Sequence, residues 1–100
     1  MDAHLETTLG SPIPLGSARK GVRGVVASVG ERSGRPIGLA TDFTDELERR
    51  LLEIGFVEGA LVEVLHEGFI GGDPIAIRVD DMSVALRRRE ANVVMVRPFL

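Results

Sequence analysis

Short runs of β-branched residues recur along the chain, and we interpret them as β-strands because branched side chains pack well on a pleated surface. In the clearest run, Ile75, Ile77 and Val79 alternate with other residues, which places the three on one face. Gly24, inside the first run, indicates a bend or a close backbone approach. The predicted strands are residues 22–29, 60–66, 73–80, 84–88 and 93–97.

A single helix is predicted over residues 44–54, where apolar positions recur every three or four residues. Gly55 follows the last of these positions, at a point where helices often end in a left-handed residue. Gly55 and Gly59 are therefore expected to permit two tight backbone positions before the next strand. The apolar stripe, which should pack the helix on the sheet, consists of Phe43, Leu47, Leu51 and Ile54.

Two further segments lie outside the predicted strands and helix. Residues 1–12 are polar and aperiodic, and we expect a flexible leader there, followed by one domain over residues 13–100. Residues 30–41 mix glycine, proline and arginine with a short apolar run, so that a long loop and a weak strand both stay open. About five short strands with one early helix predict a mainly β fold, namely a small antiparallel barrel.

Composition narrows the chemistry that such a domain can carry. The chain has 100 residues, no cysteine and a net charge of −3. The lack of thiols excludes disulfides, thiolate zinc sites and cysteine nucleophiles, and no serine lies in a nucleophile-elbow pattern. No apolar run approaches the roughly 18 residues of a membrane span. We therefore expect a cytoplasmic binding module that is not an enzyme and does not insert directly into a membrane.

Glu63, His66 and Glu67 form a local group of metal-ligand types. In a regular strand Glu63 and Glu67 share one face and His66 lies on the other, so the three side chains do not converge. The pattern favours a solvated strand end. It leaves the three residues only as weak candidates for a site that binds Fe²⁺ or another divalent metal ion.

Two basic groups raise the alternative of nucleic-acid binding. Arg19, Lys20 and Arg23 lie before and within the first strand, and residues 87–89 are three consecutive arginines. Small barrels that bind nucleic acid usually interleave aromatic side chains with such cations, and neither group has an aromatic neighbour in the sequence. Arginines at a sheet edge also prevent edge-to-edge pairing. We therefore expect no nucleic-acid partner.

An apolar pair lies where solvent exposure is expected. Phe69 and Ile70 follow Gly68 and precede two further glycines, in the loop that joins two predicted strands. Large apolar residues in a loop often mark a contact surface. An equally good alternative is that Phe69 folds back as a lid on the barrel end.

Three motifs, in this order and spacing, resemble those of the FeoA family (ferrous iron transport protein A). They are similar to the family patterns RL…MG…PG..V.V, GDPI.I and IALR..EA. The resemblance extends from about residue 13 to the C-terminus. The matching segments are residues 48–64 (ERRLLEIGFVEGALVEV), 72–77 (GDPIAI) and 84–91 (VALRRREA).

The resemblance implies an SH3-like barrel that acts as a cytosolic partner of FeoB, the bacterial membrane ferrous-iron permease with a GTP-binding domain. It brings no catalytic residues and no cofactor. Direct sensing of Fe²⁺ through carboxylates and His66 is the alternative, and homodimerisation through a barrel edge is compatible with the sequence. The candidate interface residues are Phe56, Val57, Phe69 and Ile70. The residues with expected structural roles are Leu47, Leu51, Ile54, Gly55 and Gly59.

Overall fold

A computed structural model describes residues 8–30 and 42–100, with only the backbone at residues 42–44. No helix within these residues is long and apolar enough to cross a bilayer. A 3₁₀ turn spans Leu15–Ser17. The strands are β1 (Ile13–Pro14), β2 (Arg23–Val29), β3 (Leu61–Gly68), β4 (Gly72–Val79), β5 (Met82–Leu86) and β6 (Val94–Pro98), and the helices are α1 (Asp42–Ile54) and α2 (Arg88–Ala91).

These six strands form one antiparallel sheet in the order β1-β6-β2-β3-β4-β5. The mainly β prediction is confirmed, with one more strand than expected. β1 has two residues, one of which is Pro14, so it is too short to show an alternating pattern in the sequence. It joins the sheet by placing Ile13 opposite Val96 of β6.

The alternating positions of the strands and the stripe of α1 fill one apolar core. As predicted, Ile75, Ile77 and Val79 share a buried face of β4, each no more than 1% exposed. Burying such side chains stabilises the fold by about 1.5–3 kcal/mol each relative to leaving them in water. The buried core residues are Leu15, Ala18, Val26, Leu47, Leu51, Phe56, Ala60, Val62, Val64, Ile75, Ile77, Val79, Leu86, Ala91, Val94 and Val96.

α1 ends in a Schellman motif formed by Gly55 and Phe56. The φ of Gly55 is 127°, and its N–H donates to the carbonyl oxygen of Leu52 at 3.1 Å. The N–H of Phe56 donates to the carbonyl oxygen of Leu51 at 3.0 Å. Because this motif turns the residue after the glycine back onto the last helical turn, Phe56 and Leu51 are both 0% exposed. The expectation that Phe56 lines an interaction surface is therefore corrected, since it is a core residue.

The other residues of this junction have the structural placement expected for them. Leu47 is buried and Ile54 packs against the core. Gly59 has a φ of 91°, and its N–H donates to the carbonyl oxygen of Val26 at 2.8 Å, which ties the turn to β2. The side chain of Phe43 lies outside the described part of the chain.

Two local expectations were tested within the strands. A Cβ on Gly24 would overlap the carbonyl oxygen of Arg97 in β6, which confirms the close backbone approach at this position. The strand predicted over residues 84–88 ends at Leu86 instead. The cause is that the carboxylate of Glu90 accepts the N–H of Arg87 at 2.9 Å, so the backbone turns into α2 at this point.

The segments predicted as leader and undecided loop lie largely outside the described residues. These residues are 1–7 and 31–41. Within the described part, the N–H of Gly10 donates to the carbonyl oxygen of Pro98 at 2.7 Å, and that of Leu100 donates to Thr8 at 3.0 Å. Residues 8–10 therefore follow the C-terminal strand, and the division between leader and domain stays a prediction.

Candidate functional site

The connection between β3 and β4 carries two large apolar side chains that contact almost no protein. The solvent-accessible area of each residue, relative to its full exposure, is 106% for Phe69 and 86% for Ile70. Phe69 therefore does not form a lid on the barrel end. We call Phe69 and Ile70 the apolar tip.

The apolar tip lies on a short, hydrogen-bonded turn. Gly68 of β3 pairs with Gly72 of β4, and the N–H of Asp73 donates to the carbonyl oxygen of Ile70 at 3.2 Å. Gly71 has a φ of 66°, a left-handed conformation that glycine adopts without strain. The turn holds the two apolar residues in the loop and away from the core.

The guanidinium of Arg88 anchors the base of this turn. Its Nε donates to the carbonyl oxygen of Gly72 at 3.0 Å, and its Nη2 donates to Glu67 Oε1 at 2.7 Å. Its Nη1 donates to the carbonyl oxygens of Gly16 and Ala18, at 3.1 and 2.8 Å. One half-buried side chain thus joins both sides of the tip to the segment around the 3₁₀ turn.

Two carboxylates complete the anchor. Glu67 Oε2 accepts the main-chain N–H of Lys20 at 3.0 Å, and Asp73 Oδ1 accepts the main-chain N–H of Arg88 at 2.9 Å. The pKa of Glu67 is lowered, first by the hydrogen bond from Lys20 and further by the positive charges of Arg88 and Arg19, against an opposing effect of desolvation. Glu67 therefore stays ionised and paired at neutral pH.

The central arginine of the anchor was not singled out by the sequence pattern. Residues 87–89 form one basic run, but the structure divides it. Arg87 and Arg89 are exposed, whereas Arg88 is directed to protein oxygens. The guanidinium of Arg88 is therefore not available to a nucleic-acid phosphate.

The predicted geometry of the metal-ligand candidates was wrong because β3 contains a bulge. The register moves two residues along β3, from Val64 to His66, while it moves one residue along β4. Beyond the bulge Glu67 lies opposite Ile75, which is buried, so it occupies an inward position at the strand end. Glu63 and His66 lie opposite outward positions of β4 and so share a face.

Although Glu63 and His66 share a face of β3, they do not form part of a set of metal ligands within the described residues. Glu63 forms an ion pair with Arg78 at 3.5 Å, and Glu67 is held by Arg88 and Lys20. Over residues 8–30 and 42–100, no three histidine, aspartate or glutamate residues lie close enough to hold a metal ion.

The four candidate interface residues do not form one surface. Phe56 is in the core, and Val57 is 47% exposed in the turn that precedes β3. The apolar tip lies at the other end of β3, after Gly68. Only Phe69 and Ile70 are brought together as an exposed pair.

Comparisons with known proteins identify relatives of this domain. The FeoA domain family matches residues 13–98. The FeoA of Stenotrophomonas maltophilia, solved in complex with zinc and described as a prokaryotic SH3 domain protein, is 34% identical with a TM-score of 0.65, over 82% of this chain and 86% of that one. The FeoA of Chlorobium tepidum is 30% identical with a TM-score of 0.64, over 88% of this chain and 70% of that one.

Other comparisons bear on the fold alone. A manganese-dependent transcriptional repressor has a TM-score of 0.67 at 21% identity, over 97% of this chain but 47% of its own. A search of curated proteins found no match.

Three observations agree: the motifs, the single sheet with its inserted helix, and the family match. The chain therefore has an SH3-like fold, belongs to the FeoA family and has a role in ferrous iron transport.

Proposed function

We propose that this protein is an accessory and regulatory component of bacterial ferrous iron uptake, which acts in the cytoplasm by binding the FeoB membrane GTPase-permease. It acts by protein–protein contact and not by catalysis. The observation that supports this proposal is the apolar tip, because two large side chains are held in solvent by a dedicated anchor.

The physical argument rests on burial and preorganisation. Transfer of a Phe or Ile side chain from water into a protein pocket contributes about 1.5–3 kcal/mol. A loop that is already ordered loses little conformational entropy on binding, so more of this energy contributes to affinity. Hydrogen bonds from Arg88 to Gly72 and Glu67 supply that order. Val57 stays a candidate for a second contact.

The first test replaces the apolar tip with Phe69→Ser/Ile70→Ser. We expect the affinity for the purified cytosolic domain of FeoB to fall about 30-fold or more, since central apolar anchors contribute at least about 2 kcal/mol to an interface. The melting temperature should stay close to the wild-type value, because neither side chain contributes to the core. Affinity is measured by calorimetry or interferometry.

A control comes from the end of the sheet opposite the tip, where Leu61 begins β3 and Met82 begins β5 beside β4. Leu61 and Met82 are also large and half exposed, at 54% and 50%. The variant Leu61→Ser/Met82→Ser also replaces two exposed large apolar side chains, which are about half as exposed as those of the tip, and should keep wild-type affinity. Equal affinity of the tip variant and the wild-type protein would refute the proposed contact.

Direct binding of a divalent metal ion is a second candidate, favoured by the zinc complex of the Stenotrophomonas relative. Glu63 and His66 share one face of β3 and are the ligand types available for it. Calorimetric titration with Zn²⁺ and Mn²⁺ separates the two functions. Heat that is lost in the variant His66→Ala would support metal sensing, and the absence of heat at micromolar protein would support protein contact alone.

A further inference from the structure

We propose that the apolar tip and the cations Arg19 and Lys20 form one binding surface, whose partner is a protein pocket that is apolar inside and bordered by carboxylates. This inference rests on the proposed function and specifies the chemistry of the partner surface. It follows from how the anchor holds the segment between the 3₁₀ turn and β2 beside the β3–β4 hairpin.

The anchor brings the cations to the base of the tip. Glu67 immediately precedes Gly68, and its Oε2 accepts the N–H of Lys20 at 3.0 Å. Arg19 lines a cleft of about 450 Å³ together with Gly71 and Gly72 of the turn. Both Arg19 and Lys20 are exposed. The apolar pair and the two cations are thus neighbours in space although they are distant in sequence.

The charge of this surface differs from that of the chain. Five charged residues lie at the anchor: Arg19 and Arg88, whose positive charges act on Glu67, Lys20, which contacts Glu67 through its main-chain N–H, and the carboxylates of Glu67 and Asp73. The whole chain carries a net charge of −3. These five residues sum to a charge of +1, from three cationic and two acidic residues, so this part of the surface is less acidic than the chain as a whole, which favours an acidic partner.

The two outer cations are available to a partner. The guanidinium of Arg88 is paired with Glu67 at 2.7 Å. Within the part of the chain that the structure describes, neither Arg19 nor Lys20 forms an ion pair. A carboxylate brought near them on binding would gain charge-assisted hydrogen bonds without first breaking such a pair.

An acidic protein pocket fits this surface better than an anionic membrane. Basic clusters that bind anionic lipids usually contain about 4–8 lysines and arginines, each contributing about 1 kcal/mol near the surface. The tip has two available cations and two apolar side chains, which is too little for stable membrane binding. A rigid tip of two side chains is instead suited to a preformed pocket.

The closing experiment reverses the two charges with Arg19→Glu/Lys20→Glu. The hydrogen bonds of the anchor are retained, because Glu67 binds Arg88 and the main-chain N–H of Lys20, whereas the charge of Arg19 that also favours the Glu67 carboxylate is reversed. We expect about tenfold weaker binding to the purified FeoB cytosolic domain, mainly through a slower association rate. The loss of affinity on raising salt from about 50 to 500 mM should be steep for the wild-type protein and shallow for the variant.

The matched control makes the same change of charge elsewhere. Arg49 and Arg50 are exposed on α1, and the variant Arg49→Glu/Arg50→Glu should bind as the wild-type protein does. If both charge reversals weaken binding equally, the effect comes from net charge and the acidic-pocket inference is overturned.

The remaining outcomes separate this inference from the proposed function. If Phe69→Ser/Ile70→Ser abolishes binding while Arg19→Glu/Lys20→Glu leaves it unchanged, the proposed contact stands and the acidic pocket is overturned. If neither variant affects binding, the proposed contact fails first. Tip-dependent sedimentation of the wild-type protein with vesicles containing about 30% phosphatidylserine, without binding to the FeoB domain, would assign the surface to a membrane.

Discussion

Phe56→Ala is expected to lower the free energy of unfolding by about 4 kcal/mol, the usual range for removing a fully buried aromatic side chain. Phe56 is 0% exposed and follows α1 in the Schellman motif, where Leu51 accepts its N–H at 3.0 Å. A domain of this size is usually stable by about 5–15 kcal/mol, so the variant should lose a large fraction of its stability. Urea denaturation monitored by circular dichroism measures the change.

The neighbouring residue supplies a control for this prediction. Val57 is 47% exposed, and Val57→Ala should change the free energy of unfolding by less than about 1 kcal/mol. If Phe56→Ala instead leaves stability unchanged and weakens partner binding, Phe56 belongs to the interface after all.

Removal of the anchor is expected to have the second large effect. Arg88→Met keeps an unbranched apolar chain but leaves the carbonyl oxygens of Gly16, Ala18 and Gly72 without their donor. Losing hydrogen bonds from a charged donor in a half-buried site should lower the free energy of unfolding by about 3 kcal/mol. Arg88→Lys keeps the charge but not the planar set of donors, so it should be intermediate.

Arg89 is the matched control for the anchor. It is exposed on α2, and Arg89→Met should change the free energy of unfolding by less than about 0.5 kcal/mol. Amide hydrogen exchange adds a local readout, since residues 68–73 should exchange faster in Arg88→Met than in Arg89→Met. Equal stability and equal exchange of the two variants would contradict the anchoring role.

Regular periodicity was sufficient to predict most of the fold. The alternation of Ile75, Ile77 and Val79 and the stripe that contains Leu47 and Leu51 both correspond to buried faces. These signals are strong because each repeats several times with the period of its element. β1 gave no such signal, since two residues cannot define a period.

The faces of His66 and Glu67 were predicted wrongly because one extra residue interrupts the alternation of β3. A bulge beyond Val64 in β3 reverses the face that simple alternation assigns to His66 and Glu67. The β3 sequence has no glycine between Val64 and Glu67 to signal that bulge, which is visible only in the register with β4. The burial of Phe56, in contrast, could have been inferred, since a glycine that ends a helix is frequently followed by an apolar residue that packs on the last turn.

The sequence alone indicated only part of the candidate site. Two apolar residues between glycines left an exposed contact surface and a folded-back lid as equal alternatives, and the exposure of both side chains decides for the exposed tip. The role of Arg88 could not be predicted from the sequence. Three of its hydrogen bonds go to main-chain carbonyl oxygens, those of Gly16, Ala18 and Gly72, and every residue type carries such an oxygen. A motif search compares side chains and therefore cannot detect an arginine that binds the backbone.

The anchor also links the tip to the completion of folding. Arg88 binds the carbonyl oxygens of residues that lie 72 and 70 positions earlier in the chain, Gly16 and Ala18. Closing so long a loop costs conformational entropy, which the contacts of the intervening sheet help to offset. A β3–β4 hairpin on its own has the hydrogen bond between Asp73 and Ile70 but lacks the two contacts of Arg88 to the segment around the 3₁₀ turn. The tip therefore has its full set of anchoring contacts only in the folded chain.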